Sequence, residues 1–415
     1  MRLRRGGKRQ ADPKPPGRKA GEDYGTKAHR SAPAKIDEVL DAPLPVHCPL
    51  CAGALQLDKI EPQFQTEIPV KPIHRQFNVH VGHCSGCGKR VQGRHPLQTS
   101  DALGCCASQL GPDAQAAIVQ LNKQAGLSHG KISNFFSIAF GIQLSRGGVC
   151  QAMLRSAGRC LPQYHRILAH LPKSPWAVPD ETGWRVGGMS HWLHVAVTQD
   201  AVAFLIARQR GIKATARLLP IDYSGTLIHG GWAPYQRFFK ARHQTCIAHL
   251  LRRSKEILQT ARGGAVVFPR RIKDILQEAL LTRDRRDAGD ITAATAQRKA
   301  RALRARVAGL CEPAKTNAIN ERFAGHLYRQ QHHLFTFLKR PAIDATNYRA
   351  EQALRNPITN RKVWGGSRTP TGAAAQSILC SIWGTALKNA TQPFQWLSHL
   401  LCSPGAAPSL VPDTG

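Results

Sequence analysis

Apolar positions recur along this chain in helical, alternating and continuous patterns, and each predicts a kind of element. Residues 113–121 repeat at the helical period. An apolar run follows at 135–140 and a further periodic stretch at 144–154, with Ser128 and Ser145 placed as helix N-caps. From 174 the pattern changes. Residues 176–180 read as a short strand ending in an acid, Asp180. Residues 191–198 alternate, with Leu193, Val195 and Val197 on one face, and 201–207 form the unbroken apolar run of a central strand. Residues 212–219 read as helix, and 226–229 as a fourth strand closed by Gly230-Gly231-Trp232. Residues 245–257 return to helix and carry His249, Arg252 and Arg253. The stretch 260–340 is helical, with Ile272, Ile275, Leu276, Ala279 and Leu280 on one face. A short helix then carries Glu351 among Asn347, Arg349 and Arg355, before a basic strand-like run and the loop Gly365-Gly366-Ser367. Residues 375–402 close with an amphipathic helical pair.

Three strands in succession, then alternating helix and strand, predict an α/β layer. The order is compatible with a ribonuclease-H-like core into which a helical region is inserted. The short helices before it resemble a helix-turn-helix, with a plain helical bundle as the other reading. The expected organisation is a disordered basic tail (1–43), a zinc-ribbon-like domain (44–98), a helical DNA-binding region (99–172) and the first part of the core (173–258). A helical insertion (259–340), the closing helix with Glu351 and its basic loop (341–375), and C-terminal helices with a tail (376–415) follow.

Charge narrows the partner. The 415 residues hold 58 Lys and Arg against 26 Asp and Glu, a formal charge of +32. That exceeds what solubility needs and implies a polyanion, nucleic acid first. The tail holds part of the excess, and 240–310 and 349–368 are also strongly basic. No stretch reaches the ~18–20 apolar residues of a membrane span. The basic N-terminus lacks the apolar core of a secretory signal.

The twelve cysteines are therefore read in a reducing compartment, where paired motifs point to metal rather than disulfides. Cys48-Pro-Leu-Cys51 and Cys84-Ser-Gly-Cys87 are two such pairs, with strand character at 63–70 and 76–81 between them. Thiolates at this spacing face one ion while their turn supplies N–H groups to the sulfurs, and two pairs complete a tetrahedral Zn²⁺ site. His47, His80 and His83 are alternative ligands. A closed site of this kind leaves no position for substrate, so its role is structural.

The acids are scarcer and more pointed. Phosphodiester transfer needs charge neutralised on the attacking and leaving oxygens, and two Mg²⁺ ions held by about three carboxylates do this. Asp180, at the end of an apolar strand, and Glu351, on a helix able to reach it, are the candidates. Glu351 has a second reading, as an ion-pair partner for Arg355 one helical turn on. Arg361, Lys362 and Arg368, around the Gly-Gly-Ser loop, are candidates to meet phosphate through side chains and freed backbone N–H groups. Asn347 shares the face of Glu351 and is a candidate to position DNA or that acid. Trp184 and Trp232 read either as core or as platforms for an unstacked base.

Three segments, WAVPDETGWRV (176–186), ARHQTCIAHLLR (241–252) and the stretch 341–372, resemble bacterial transposases of the insertion-sequence-66 family. The resemblance extends over roughly residues 44–400. It implies a DNA transposase acting on transposon ends and target DNA, with a ribonuclease-H-like core and an Asp-Asp-Glu triad binding Mg²⁺ or Mn²⁺. It further implies a homo-oligomer on DNA in the bacterial cytoplasm, associated with the nucleoid and with accessory proteins of the same element. Asp180 matches the first acid and Glu351 the third. The position matching the second Asp is Gly230. The resemblance thus implies a copy impaired in catalysis, or a non-catalytic protein occupying transposon ends. Asp222, His229 and Glu181 are the neighbours to weigh as substitutes.

Overall fold

The structure, a computed structural model, describes residues 32–47, 49–57, 59–65, 71–98, 100–104, 109–402 and 407–412. It divides into two units, Met1–Lys71 and Pro72–Gly415. The first has neither helix nor strand among its described residues. The expected tail up to residue 31 and Cys48 lie outside the described residues.

The second unit begins with a small antiparallel hairpin, β1 (Val81–His83) and β2 (Arg90–Gln92). The strands expected at 63–70 and 76–81 reduce to β1 among the described residues, and 66–70 lie outside them. Helices α1 (Pro112–Lys123), α2 (His129–Phe140) and α3 (Arg146–His170) follow. Both expected caps are made: Ser128 accepts from the Lys131 N–H and Ser145 from the Gly148 N–H.

The main sheet comprises β3 (Trp176–Val186), β4 (Met189–Val197), β5 (Val202–Ala207), β6 (Thr226–His229) and β7 (Arg242–Thr245), with the short helix α4 (Ile212–Thr215) between β5 and β6. Its order is β5-β4-β3-β6-β7. The first three strands are antiparallel, and β6 and β7 run parallel to β3. Gly187 and Gly188, with φ of 56° and 80°, make the β3–β4 turn, which only glycine adopts without strain.

Two strands differ from expectation. β3 is longer, so Asp180 sits in mid-strand. β4 continues to pair with it as far as Val186, whereas the ladder to β6 holds only Trp176 and Ala177. Pro179 has no N–H to extend that ladder. β7 was not expected, because its buried side chains His243, Gln244 and Thr245 are all polar and mark no apolar run.

After β7 come α5 (Ile247–Thr260), α6 (Val267–Asp287), α7 (Ala293–Cys311), α8 (Ala318–Gln330), α9 (Thr336–Lys339), α10 (Tyr348–Trp364), α11 (Pro370–Lys388) and α12 (Pro393–Cys402). In α6 the expected face is buried through Ile272, Ile275, Leu276 and Ala279. The strand-like run after Glu351 is instead the second half of α10. Its Ala350, Leu354, Pro357 and Asn360 are buried at helical spacing.

Helices line both faces of the sheet. Ala177, Ala196, Ala203 and Leu227 share a core with α1, α3, α11 and α12. Val178, Val195, Phe204 and Ile228 share another with α5, α6, α8 and α10. The edge strand β5 is closed by side chains. Val202, Phe204 and Ile206 donate their N–H groups to the hydroxyls of Thr385, Ser381 and Ser377, one turn of α11 apart. This pairs the donors that an open edge would leave exposed. Among the described residues no helix is long and apolar enough to cross a membrane.

Candidate active site

Trp176 pairs with Thr226 and Ala177 with Leu227. Continued along the strands, the same parallel register sets Asp180 level with Gly230. Asp180 Oδ1 accepts from the Glu181 N–H at 2.9 Å and Oδ2 from Asn347 Nδ2 at 3.1 Å. Burial pushes its carboxyl up to about 6, with the charges of Glu181 and Glu351 adding to the shift against the Glu181 N–H bond.

Glu351 arrives on the first turn of α10, and α5 fixes where that turn lies. The Ile247 N–H donates to Ala345 O at 2.9 Å, and the Asn347 N–H donates to Cys246 Sγ at 3.4 Å. Three residues after Cys246, His249 places Nε2 3.8 Å from Glu351 Oε1. A Cys-x-x-His pair at the start of α5 thus braces the turn that carries Asn347 and Glu351. The pairing of Glu351 with Arg355 is not made; its acid faces His249. Asn347, expected to contact DNA or Glu351, is 1 % exposed and spends its amide on Asp180. Cys246 was missed at the sequence level, although its spacing from His249 was in view.

The two glycines after β6 differ in kind. Gly231 has φ of 84°, and a Cβ there would stand 3.0 Å from the His326 ring. Gly230 lies outside the left-handed region, and its Cβ would meet His249 at an ordinary 3.7 Å. The turn therefore demands glycine at 231 but not at 230. A side chain at 230 would point toward the imidazole that already touches Glu351.

None of the three neighbours substitutes for an acid there. The Gly231 N–H donates to His229 Nδ1 at 3.0 Å, which leaves Nε2 as the protonated nitrogen. That nitrogen meets His243 Nδ1 at 3.0 Å, so both ring nitrogens are engaged, and His229 is fully buried. Burial first, then His243, holds its protonation well below the ordinary histidine range. Asp222 is exposed and precedes β6, at the opposite end of that strand from Gly230. Glu181 is held by Arg210 at 2.9 Å and accepts from the Tyr235 hydroxyl at 2.6 Å.

Arg355, Lys362 and Arg368 are exposed, while Arg361 is half-buried with Nη1 3.5 Å from Thr182 Oγ1. Two of the three N–H groups of the Gly-Gly-Ser loop, expected to be free, are spent within the fold. Gly365 N–H donates to Arg361 O and Ser367 N–H to Arg185 O. A Cβ on Gly366 would fall 2.3 Å from Arg185 O, so glycine is what lets the loop lie against the β3 backbone. Trp184 is core: it is 2 % exposed, meets Trp364 edge-on at 6.0 Å and donates to Ser367 Oγ. Trp232 is half-buried under the Arg210 guanidinium.

Donor chemistry decides what metal this set could hold. Asp180 and Glu351 supply two carboxylates, and Gly230 supplies none. Buried polar atoms without a partner do face the region, His249 Nδ1 and Asn347 Oδ1. Among the described residues, no group of three or more His, Cys, Asp or Glu is placed to hold a metal ion. The residues present do not fit a pair of Mg²⁺ ions.

In the cysteine region, Gly88 N–H donates to Cys84 O and Cys84 N–H to Lys89 O, closing the β1–β2 turn. The N–H groups of Cys87 and Gly86 point at the Cys84 sulfur and lower its protonation range. Cys51 and Cys87 are exposed.

A profile described as Transposase IS66 family matches residues 107–375. The chain belongs to the IS66 family of transposases. The match takes in β3, the glycine turn, α5 and α10, and begins after the paired cysteines. No curated protein matches the chain.

Proposed function

We propose that this transposase-family chain binds transposon ends through its basic surface but is impaired in metal-dependent DNA cleavage and strand transfer. Family membership supports transposition as the process. An antiparallel trio of strands followed by two parallel strands supports reading the core as ribonuclease-H-like. Asp180 and Glu351 are the first and third acids of its triad. The observation that carries the impairment is at residue 230. The position that the β3–β6 register, continued past its last pair, sets level with Asp180, and whose Cβ would meet His249, holds a glycine that its backbone does not require.

Bound Mg²⁺ or Mn²⁺ would neutralise charge on the attacking and leaving oxygens. With the second acid absent, what the chain's own residues supply is DNA binding. The formal charge of +32 supports that binding, and Arg355, Arg361, Lys362 and Arg368 lead away from the acids along α10 and its loop. The paired cysteines are zinc ligands in this reading, and within the second unit the N–H groups aimed at Cys84 support Cys84 and Cys87 as one ligand pair. The tail, zinc ribbon, helical DNA-binding region, core and insertion are its working parts.

DNA from the flanks of the reading frame tests the proposal, with binding read by mobility shift and nicking on denaturing gels. End DNA is bound in preference to unrelated DNA, Asp180→Ala keeps that affinity, and nicking appears only after Gly230→Asp. Full Mg²⁺-dependent strand transfer by the native chain overturns the impairment. Equal affinity for unrelated DNA overturns end recognition.

A further inference from the structure

A cavity of about 430 Å³ opens at the β3–β4 hairpin. Gly183, Arg185, Ser190, His191, Trp192 and Arg361 line it, and no acid does. Trp192 is half-buried and held from one side. The Arg210 guanidinium lies 4.7 Å from its ring centroid and 4.5 Å from that of Trp232, and Glu181 anchors that arginine at 2.9 Å. The indole is therefore a fixed platform. Arg185 gives one N–H to Gly188 O at 2.8 Å, and Arg361 reaches Thr182 only at 3.5 Å. Most of the ten guanidinium N–H donors the two arginines carry are left over for an anion. A Cβ at Gly183 would stand an ordinary 3.8 Å from Arg361 Nη1.

An aromatic face beside two uncompensated guanidiniums is the chemistry that takes a base and its phosphate. A volume of about 430 Å³ is of the size that takes one nucleoside. Gly183 lies three residues beyond Asp180 on β3, an odd spacing that turns the two residues to opposite faces of the strand. The geometry points to a pocket for a single unpaired nucleotide of the bound DNA, with its base on Trp192 and its phosphate on Arg361 and Arg185. The inference rests on the DNA-binding reading above and names the strand state that the site selects. The base must leave the helical stack to enter, which costs least at a frayed or flapped end.

Fluorescence polarisation on the full chain tests this without metal. The probes are a blunt duplex, the same duplex with one unpaired terminal nucleotide, and that duplex with the unpaired nucleotide abasic. The unpaired base tightens binding about tenfold, as one stacked base does, and the abasic probe loses the gain. Trp192→Ala removes the gain and leaves blunt-duplex affinity in place, whereas Trp192→Phe retains it. Should Trp192→Ala not fold, Ser190→Glu on the exposed rim removes the gain by closing the cavity to phosphate. Equal affinity for the blunt and unpaired probes, or a gain that survives both variants, overturns the pocket while the DNA-binding reading stands. A chain that binds none of the three probes overturns both.

Discussion

Asn347 donates its side-chain amide to Asp180 at 3.1 Å, and this bond ties the first turn of α10 to the middle of β3. Because Cys246 accepts the backbone N–H of the same asparagine, α5, α10 and β3 meet at one residue. Asn347→Ala removes the bond from a buried site and lowers stability by about 1–2 kcal/mol. Asn347→Asp costs more at neutral pH, because it sets a second carboxylate against Asp180. Its penalty shrinks as the pH falls and the two acids share a proton. Urea midpoints of both variants at pH 7 and pH 5 check this, and equal losses at the two pH values would contradict it.

The pH dependence of stability should carry a mark of Asp180. Its carboxyl is raised from 3.8 to about 6 in the folded chain. The folded state therefore holds the proton more tightly than the unfolded state. By linkage, this residue's contribution to stability is full below about 4 and falls as the pH rises through about 6. Asp180→Asn keeps an acceptor oxygen without the charge and removes that fall, gaining up to about 3 kcal/mol at neutral pH. Subtracting the variant's stability curve from that of the native chain between pH 4 and pH 7 isolates the effect. A flat difference would show that Asp180 ionises as it would in water.

The hydroxyl ladder on α11 carries a stability prediction remote from the acids. Ser381 is fully buried and accepts the Phe204 N–H at 2.8 Å. Ser381→Ala leaves that donor buried without a partner and costs about 1–3 kcal/mol. Thermal unfolding of the variant reads the loss, and an unchanged midpoint would mean that β5 finds another acceptor.

What could be read from the chain before its structure divides along physical lines. The first three strands, the helix that carries Glu351 and the apolar face of α6 were legible, because apolar periodicity marks elements that bury carbon. β7 was not, since it buries His243, Gln244 and Thr245, which resemble surface residues until their partners are known. The second half of α10 read as a strand because Ile358, Thr359 and Val363 are β-branched. The burial of Ala350, Leu354, Pro357 and Asn360 at helical spacing overrode that preference. Ser377, Ser381 and Thr385 are four residues apart and so lie on one helix face, but nothing local says that the face meets a strand edge. The inward turn of Asn347 and the difference between Gly230 and Gly231 depend on contacts far apart in sequence. Only the fold discloses them.

Manganese titration of the native chain and of Gly230→Asp tests most directly whether residue 230 is the missing ligand. Bound Mn²⁺ is counted by its loss from the free-ion paramagnetic signal, with DNA absent. The account predicts little Mn²⁺ bound by the native chain. It predicts clear binding by Gly230→Asp, which Asp180→Asn abolishes when added to it. Two Mn²⁺ ions held by the native chain and lost in Asp180→Asn would contradict it, because Asp180 and Glu351 would then suffice without an acid at 230.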